Sequence, residues 1–438
     1  MKIAFYHPKP DCQFPWNCFQ LGLLIFPLTP FLGFVSMMLA VLVTWIRQYR
    51  AIIRRPINWG FGLLSLVLFV SAGFAYDKGA AFVGLFNLLP FFLLFTGLSF
   101  LIQTTAQLRH IAWILVISSV PVLIMGFGQL FFAWNLQIQV LWVLLDFGIA
   151  PGGNPPGRMA AIFMHANLFA AYLAIAFTLS LGLLLEHWQA RRTGSREETY
   201  TQSPLLIIFL TVSIIADFAA LILTNSRNGW AIAIIACLAF AFYQGWRLLI
   251  SGVAAAVTSL LLAAFAPSPV AQIFRRIVPA FFWARLNDQM YPDRPIALMR
   301  KTQWQFAWSL TQQRPWTGWG LRNFPDLYKA QMNIDLGHPH NLFLMLSAET
   351  GFPSTLLFFG LLSWILFAGT QILVQENYIN KKDRLIFFSY LVVVGEWLLF
   401  NTVDVTLFDF RLNTLSWLMI AAISGSTYHY NQHNKLVK

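Results

Sequence analysis

Ten apolar runs dominate the chain, at about 57–74, 81–102, 111–133, 159–186, 204–224, 228–245, 247–266, 342–373, 385–403 and 412–430. A helix across a bilayer needs about 20 predominantly apolar residues, so each run is a candidate span. An earlier segment, Phe14 to Ile46, is too long for one ordinary span and is interrupted by "PLTP", with Pro27 and Pro30. Proline removes a backbone donor and ends or kinks a helix. The segment therefore reads as two short helices, for a total of about twelve; a single tilted helix would make eleven. The composition agrees, since the 438 residues are 58% hydrophobic and 11% charged, with a mean hydropathy of +0.63. Soluble globular proteins carry roughly 25% charged residues. The expected fold is an all-α, polytopic transmembrane helical bundle of about 12 spans. Its divisions are an N-terminal bundle at 1–266 (about nine helices), a large loop with short helices at 267–341, and C-terminal helices with a tail at 342–438.

The net charge is +12, from 29 Lys and Arg against 17 Asp and Glu. In a membrane protein the placement of these charges sets the orientation. Arg47, Arg50, Arg54 and Arg55 form one cluster, Arg191, Arg192 and Arg196 a second, Lys381, Lys382 and Arg384 a third, and Lys435 and Lys438 end the chain. With ten spans after the first cluster, all four fall on one side, which the positive-inside rule makes cytoplasmic. Twelve spans also place Lys2 and Lys9 inside. No small-residue cleavage site follows the first apolar run, so the start reads as uncleaved. The loops at about 134–158 and 267–341 then lie outside. The second carries nine Lys or Arg (Arg275, Arg276, Arg285, Arg294, Arg300, Lys301, Arg314, Arg322, Lys329) against Asp288, Asp293, Asp326 and Asp335. This cationic outer face fits an anionic ligand or lipid headgroups equally well. Cys12, Cys18 and Cys237 show neither a disulfide framework nor zinc-ligand spacing.

Four stretches concentrate polar residues at the outer ends of spans. In "LTNSRNGW", Arg227 stands between two apolar runs among Thr224, Asn225, Ser226 and Asn228. An arginine at a helix end can simply snorkel, but such a cluster is a poor lipid-facing surface. In "NPPGRMAAIFMHAN", Arg158 opens the 159–186 run, with His165 and Asn167 about two turns inside and facing the bundle. In "RKTQWQFAWSLTQQRPWTGWG", Arg300, Trp304, Ala307 and Trp308 have helical spacing, and Gly318 and Gly320 are free to take positive φ. This reads as an amphipathic helix at the membrane surface followed by a turn-rich stop. In "GHPHNLFLMLSAETGF", Pro339 separates His338 from His340, Asn341 can cap the following helix, and Glu349 lies about two and a half turns on. Zinc ligands on a helix need spacing such as HxxxH. H-P-H lacks it, and no acidic or cysteine cluster surrounds it, so no metal site is expected. His340 reads as a cap residue or as a general base, since an imidazole at the outer mouth of a helix can titrate near neutral pH.

Taken in order, these stretches resemble the O-antigen ligase and O-antigen polymerase superfamily. The matching residues are Arg158 with Asn167; the T-x-S-R segment Thr224, Ser226 and Arg227; R-x3-W followed by P-x2-G-x-G at Arg300, Trp304, Pro315, Gly318 and Gly320; and H-N-x2-L with E-x-G at His340, Asn341, Leu344, Glu349 and Gly351. The similarity spans about 158–353. One departure is that Pro353 and Ser354 stand where the family often has a second glycine. The resemblance implies a GT-C-like, metal-independent glycosyltransferase of the cytoplasmic (inner) membrane with an extracytoplasmic active face and no cofactor. Its donor would be a glycan on a polyprenyl diphosphate within the lipid bilayer, and its acceptor a glycan or lipid A-core; no nucleic-acid partner is expected. His340 would activate the acceptor hydroxyl, and Glu349 would orient it or hold the helix. Arg227 and Arg300, with Arg158 as a third, would stabilise the diphosphate. Asn167, Ser226, Trp304 and Asn341 would support them. The alternative is a transporter of a small anion such as bicarbonate, which would need polar groups near the bilayer midplane.

Overall fold

The computed structural model describes residues 5–140, 145–193, 203–287, 295–375 and 378–437. Lys2, Arg196, Asp288, Asp293, Arg294 and Lys438 lie outside the described residues, as do the side chains of Arg192, Arg285 and Lys435.

Helices form at every apolar run. The Phe14–Ile46 segment is two helices, α1 (Gln13–Ile25) and α2 (Pro30–Ile53), with Pro30 in the first turn of the second. They lie backbone to backbone, since a Cβ on Gly22 would stand 2.7 Å from the Gly33 carbonyl oxygen. There follow α3 (Pro56–Gly73), α4 (Lys78–Gly84), α5 (Leu89–Leu101), α6 (Thr105–Phe131), α7 (Ala166–Thr193), α8 (Pro204–Leu223), α9 (Arg227–Gln244) and α10 (Arg247–Phe265). Among the described residues, eight helical stretches are long and apolar enough to cross a membrane: 30–53, 56–73, 78–101, 105–131, 166–191, 204–223, 247–265 and 342–374. The protein is thus a multi-pass helical membrane protein. The shorter or more polar α1, α9, α16 (Arg384–Phe400) and α17 (Phe410–Val437) pack among these eight. Trp417 of α17 is fully buried within a ring of Phe61, Phe92, Phe95 and Phe358. The Tyr390 hydroxyl of α16 donates to the Leu108 carbonyl of α6 at 2.8 Å.

The basic clusters share one end of the bundle. Arg47 donates to the Asp11 carbonyl at 2.7 Å, and Arg55 to the Ser99 carbonyl at 2.7 Å. Arg109 holds Glu186 in a two-pronged pair at 2.6 and 2.7 Å and also reaches Asp383 at 2.8 Å. These contacts gather the chain before α1, after α2, at the α5–α6 turn, at the end of α7 and at the start of α16. Arg47–Arg55, Arg191 and Lys381–Arg384 therefore lie together, and the polar stretches gather at the opposite end.

One local expectation is corrected. Helix α7 begins at Ala166, not near residue 159, so Arg158 does not open it, and His165 and Asn167 sit at its mouth instead of two turns inside. The reason is competition for backbone amides. Met159 N donates to the Leu223 carbonyl at 2.9 Å, and Ala160 and Ala161 both donate to the Gln129 side chain, at 2.9 and 2.8 Å. With those donors taken and Ala161 at φ 50°, residues 159–165 fold as a turn. The 134–158 loop contains a short antiparallel hairpin, β1 (Leu136–Val140) with β2 (Leu145–Ile149).

The 267–341 segment holds α11 (Ser268–Arg275), α12 (Ala280–Leu286), α13 (Arg300–Gln313) and α14 (Phe324–Met332). Helix α13 appears where its spacing predicts, but the face it buries is Gln303, Phe306, Ala307, Leu310 and Thr311; Trp308 is exposed. That face packs on the start of α15 (Leu342–Val374), where the Thr311 and Ser347 hydroxyls meet at 3.1 Å.

Helix α15 is broken at Gly351 (φ 77°, ψ 168°). In an unbroken helix the Ala348 and Glu349 carbonyls would accept from the amides of residues 352 and 353. Here Phe352 N turns to the Pro315 carbonyl at 2.8 Å, and Pro353 has no N–H to give. The two orphaned carbonyls instead accept from Trp319 N at 2.9 Å and Gly320 N at 2.7 Å. Gly318 (φ 68°) and Gly320 (φ 105°) bend the partner strand into place. The glycine-rich stretches around 315–320 and 349–353 are thus two halves of one backbone joint.

Candidate functional site

At the end of the bundle opposite the basic clusters, the beginnings of α7 and α15 meet the 401–409 loop. Asn341 caps α15 by accepting from Leu344 N at 2.9 Å and donates to the Thr402 carbonyl at 2.8 Å, while Leu342 N donates to the Asn401 carbonyl at 2.8 Å. These bonds bring Asp404 beside His340. His340 Nδ1 lies 3.0 Å from Asp404 Oδ1, across 64 residues of sequence. Asp404 is buried, at 4% exposure. Its Oδ1 also accepts from Val405 N at 3.0 Å, and its Oδ2 from Asn167 Nδ2 at 3.1 Å. Asn167 Oδ1 in turn accepts from Arg158 Nη2 at 2.6 Å, and Arg158 Nε donates to the Thr224 carbonyl at 2.8 Å.

This chain of bonds has a fixed polarity. An ionised carboxylate only accepts, so the proton of the His340–Asp404 bond sits on His340 Nδ1. His340 Nε2 then carries the lone pair and is the basic nitrogen. Burial alone would raise the Asp404 carboxyl. The His340 hydrogen bond, the charges of His340 and His338, and the Val405 amide outweigh burial and hold it at about 2. His338 is pulled down to about 4, first by burial and then by the neighbouring His340, with Asp404 opposing and Arg300 adding. His165, whose Nδ1 accepts from Asn167 N at 3.1 Å, is lowered by burial and by Arg158.

Asp404 and His338 both make the site acid-labile. Asp404 contributes stability that is complete above its ordinary pKa of 3.8 and is lost as pH falls through about 2. His338 is kept neutral, so between 6.5 and about 4 the unfolded chain binds a proton that the folded one refuses, and stability falls across that window on acidification. The thermal midpoint of detergent-purified protein should therefore drop from pH 7.5 to pH 4.5, and drop less in His338→Asn. A midpoint unchanged over this range would contradict the assignment.

The residues singled out in sequence do not all come together. His340, Asn167 and Arg158 belong to one connected network. Arg300 opens α13 and acts electrostatically on His338. Arg227 is the first residue of α9, three positions after Thr224, whose carbonyl anchors Arg158. Ser226 caps that helix, accepting from Gly229 N at 3.3 Å. Trp304 is half-buried on α13, with its indole N–H unpartnered. Glu349 stands apart from His340, in the broken-helix joint, 1% exposed. Its Oε1 accepts from Phe324 N at 3.2 Å, at the start of α14.

Asp404 was missed in the sequence. The span count does put the 404–411 loop on the same face as His340, but nothing in "NTVDVTLFDF" distinguishes Asp404 from Asp409. With it, the expectation that no acidic group stands near the H-P-H stretch is corrected, because His338, His340 and Asp404 offer ligand atoms within 4.8 Å of one another. Their protons are already committed, however. Asp404 holds the proton on His340 Nδ1. His338 Nδ1 accepts from His340 N at 3.2 Å, which leaves the His338 proton on Nε2, facing Asp404 Oδ1 at 4.0 Å. A cation would have to displace both.

The fold and site define a multi-spanning helical membrane protein with a carboxylate-oriented histidine at one end of its bundle. Residues 209–359 match the family model described as O-antigen ligase, so this part of the chain is similar to that family of membrane glycan-transfer proteins. The matched region covers α9, the 267–341 segment and the start of α15, whereas Arg158, Asn167 and Asp404 lie outside it. No curated protein matches the chain.

Proposed function

We propose that the protein is a metal-independent glycosyltransferase of the inner membrane that moves a glycan from a polyprenyl-diphosphate donor to an acceptor hydroxyl at the outer face. The observation that carries this reading is the His340–Asp404 pair with its donor-to-acceptor polarity. His340 Nε2 takes the proton of the acceptor hydroxyl as its oxygen attacks the anomeric carbon. The bond from that carbon to the diphosphate oxygen breaks, and the diphosphate leaves with the electron pair. Asp404 stays ionised and steadies the imidazolium.

Arg227 and Arg300 are assigned to the departing diphosphate, because guanidinium forks match phosphate oxygens. Both open helices, so the positive ends of α9 and α13 add to their charge. Arg158 is assigned a bracing role through Asn167, since its Nε and Nη2 are engaged by the Thr224 carbonyl and Asn167. Glu349 is assigned to the α14–α15 joint. The anion-transporter alternative finds less support, because Arg158, Arg227 and Arg300 stand in a loop or at helix starts and not within the spans.

Deletion followed by analysis of surface polysaccharide tests the reading. Lipid A-core without long chains is the expected result for a ligase, and a single-repeat cap for a polymerase. Unchanged surface glycans together with impaired bicarbonate uptake would replace the enzyme reading by the transporter.

A further inference from the structure

His340 is held in a left-handed conformation, φ 52°, that residues other than glycine seldom adopt. Such a conformation persists only where its surroundings fix it, and it concentrates at functional sites. Three features fix it here. Pro339 limits the backbone on one side. The His340 amide, turned inward by the left-handed twist, donates to His338 Nδ1 at 3.2 Å. The His338 ring stands edge-on to the His340 ring, with centroids 4.5 Å apart at 76°, and lies against Phe408 at 6.2 Å and 22°. His338 is thus wedged between the 401–409 loop, which supplies Asp404, and the imidazole that Asp404 orients. Its side chain closes a two-residue turn of the kind Asn and Asp usually make.

We propose that His338 is a positioning residue for the transfer reaction: by accepting the His340 amide it locks the left-handed turn that aims His340 Nδ1 at Asp404 and Nε2 at the acceptor hydroxyl. This rests on the assignment of His340 as the base. His338 touches neither substrate nor reacting atoms and acts through the geometry of its neighbour. The decisive atom is Nδ1. An asparagine at 338 places Oδ1 at the same distance along the side chain and can accept the same amide. A phenylalanine keeps a ring against Phe408 and accepts nothing.

The test uses full-length variants supplied to membranes of the deletion strain, with the lipid-linked glycan accumulated there as donor. Misplacing a reacting group by about 1 Å can cost about 100-fold, so His338→Phe should transfer at least about tenfold more slowly than wild type. His338→Asn should stay within about threefold of wild type. Should His338→Phe fail to fold, His338→Ala removes the acceptor without misfitting bulk and is expected to show the same loss. Wild-type transfer by the phenylalanine or alanine variant would overturn the proposal. So would equal loss in the asparagine variant, which would reduce the ring to packing. His340→Ala separates the two layers: if it is inactive while His338→Phe is normal, only the positioning role falls, and if His340→Ala itself transfers normally, the base assignment falls with it.

Discussion

Asp404→Asn should reduce glycan transfer on the order of 10⁴-fold, the size of effect seen when a histidine base is left in the wrong tautomer. Two acceptor faces of one carboxylate serve donors on both sides: His340 Nδ1 and Val405 N on Oδ1, and Asn167 Nδ2 on Oδ2. An asparagine has only one acceptor face. If its amide nitrogen faces His340, the imidazole must accept at Nδ1 and carry its proton on Nε2, where it cannot act as a base. If the nitrogen faces Asn167 instead, Asn167 must turn over and present its own NH₂ to Arg158 Nη2, which now bonds the Asn167 oxygen at 2.6 Å. Each orientation therefore creates a donor–donor contact, and Arg158 penalises the second with a full charge. His340→Ala removes the base altogether, at about 10² to 10⁴ in rate. Both variants should still reside in the membrane, since neither group belongs to a span. Transfer by Asp404→Asn within tenfold of wild type would refute the dyad.

Gly351→Val should cost about 3–5 kcal/mol of stability, among the larger effects of a single substitution. At φ 77° and ψ 168° the residue occupies a region that is essentially restricted to glycine. A Cβ there would stand 2.5 Å from the Trp316 carbonyl oxygen and 2.9 Å from Thr317 N. These are backbone atoms of the joint and cannot rotate away. The break also releases the Ala348 and Glu349 carbonyls that hold Trp319 and Gly320, so forcing regular helix at 351 would unpair the loop from α15. A lowered melting midpoint of purified protein is the expected result; a midpoint equal to wild type would show that the joint relaxes freely. The same geometry explains Pro353. It stands where the family often has glycine, and because it has no amide hydrogen it suits a helix that has already given up that bond.

The helices were legible because hydropathy and proline spacing are local properties. Pro27 and Pro30 announced the α1–α2 break, the arginine and lysine clusters announced a common basic end, and Asn341 announced its cap. The start of α7 was not legible. Residues 159–165 are as apolar as a helix, and their backbone is captured by Gln129 and Leu223, which lie in other helices. Glu349 illustrates a subtler limit. Its place in E-x-G suggested chemistry, yet its side chain accepts a backbone amide in the joint formed with the 314–324 stretch.

Sequence alone determined that the chain builds a membrane bundle with four basic clusters at one end, and that His340, Arg158 and Asn167 belong at the other, because segment composition decides where each stretch can be solvated. Only the tertiary structure supplied Asp404. A hydrogen bond of 3.0 Å across 64 residues depends on where the mouths of α7, α15 and the 401–409 loop meet, and that is fixed by helix packing, which leaves no local mark in the sequence.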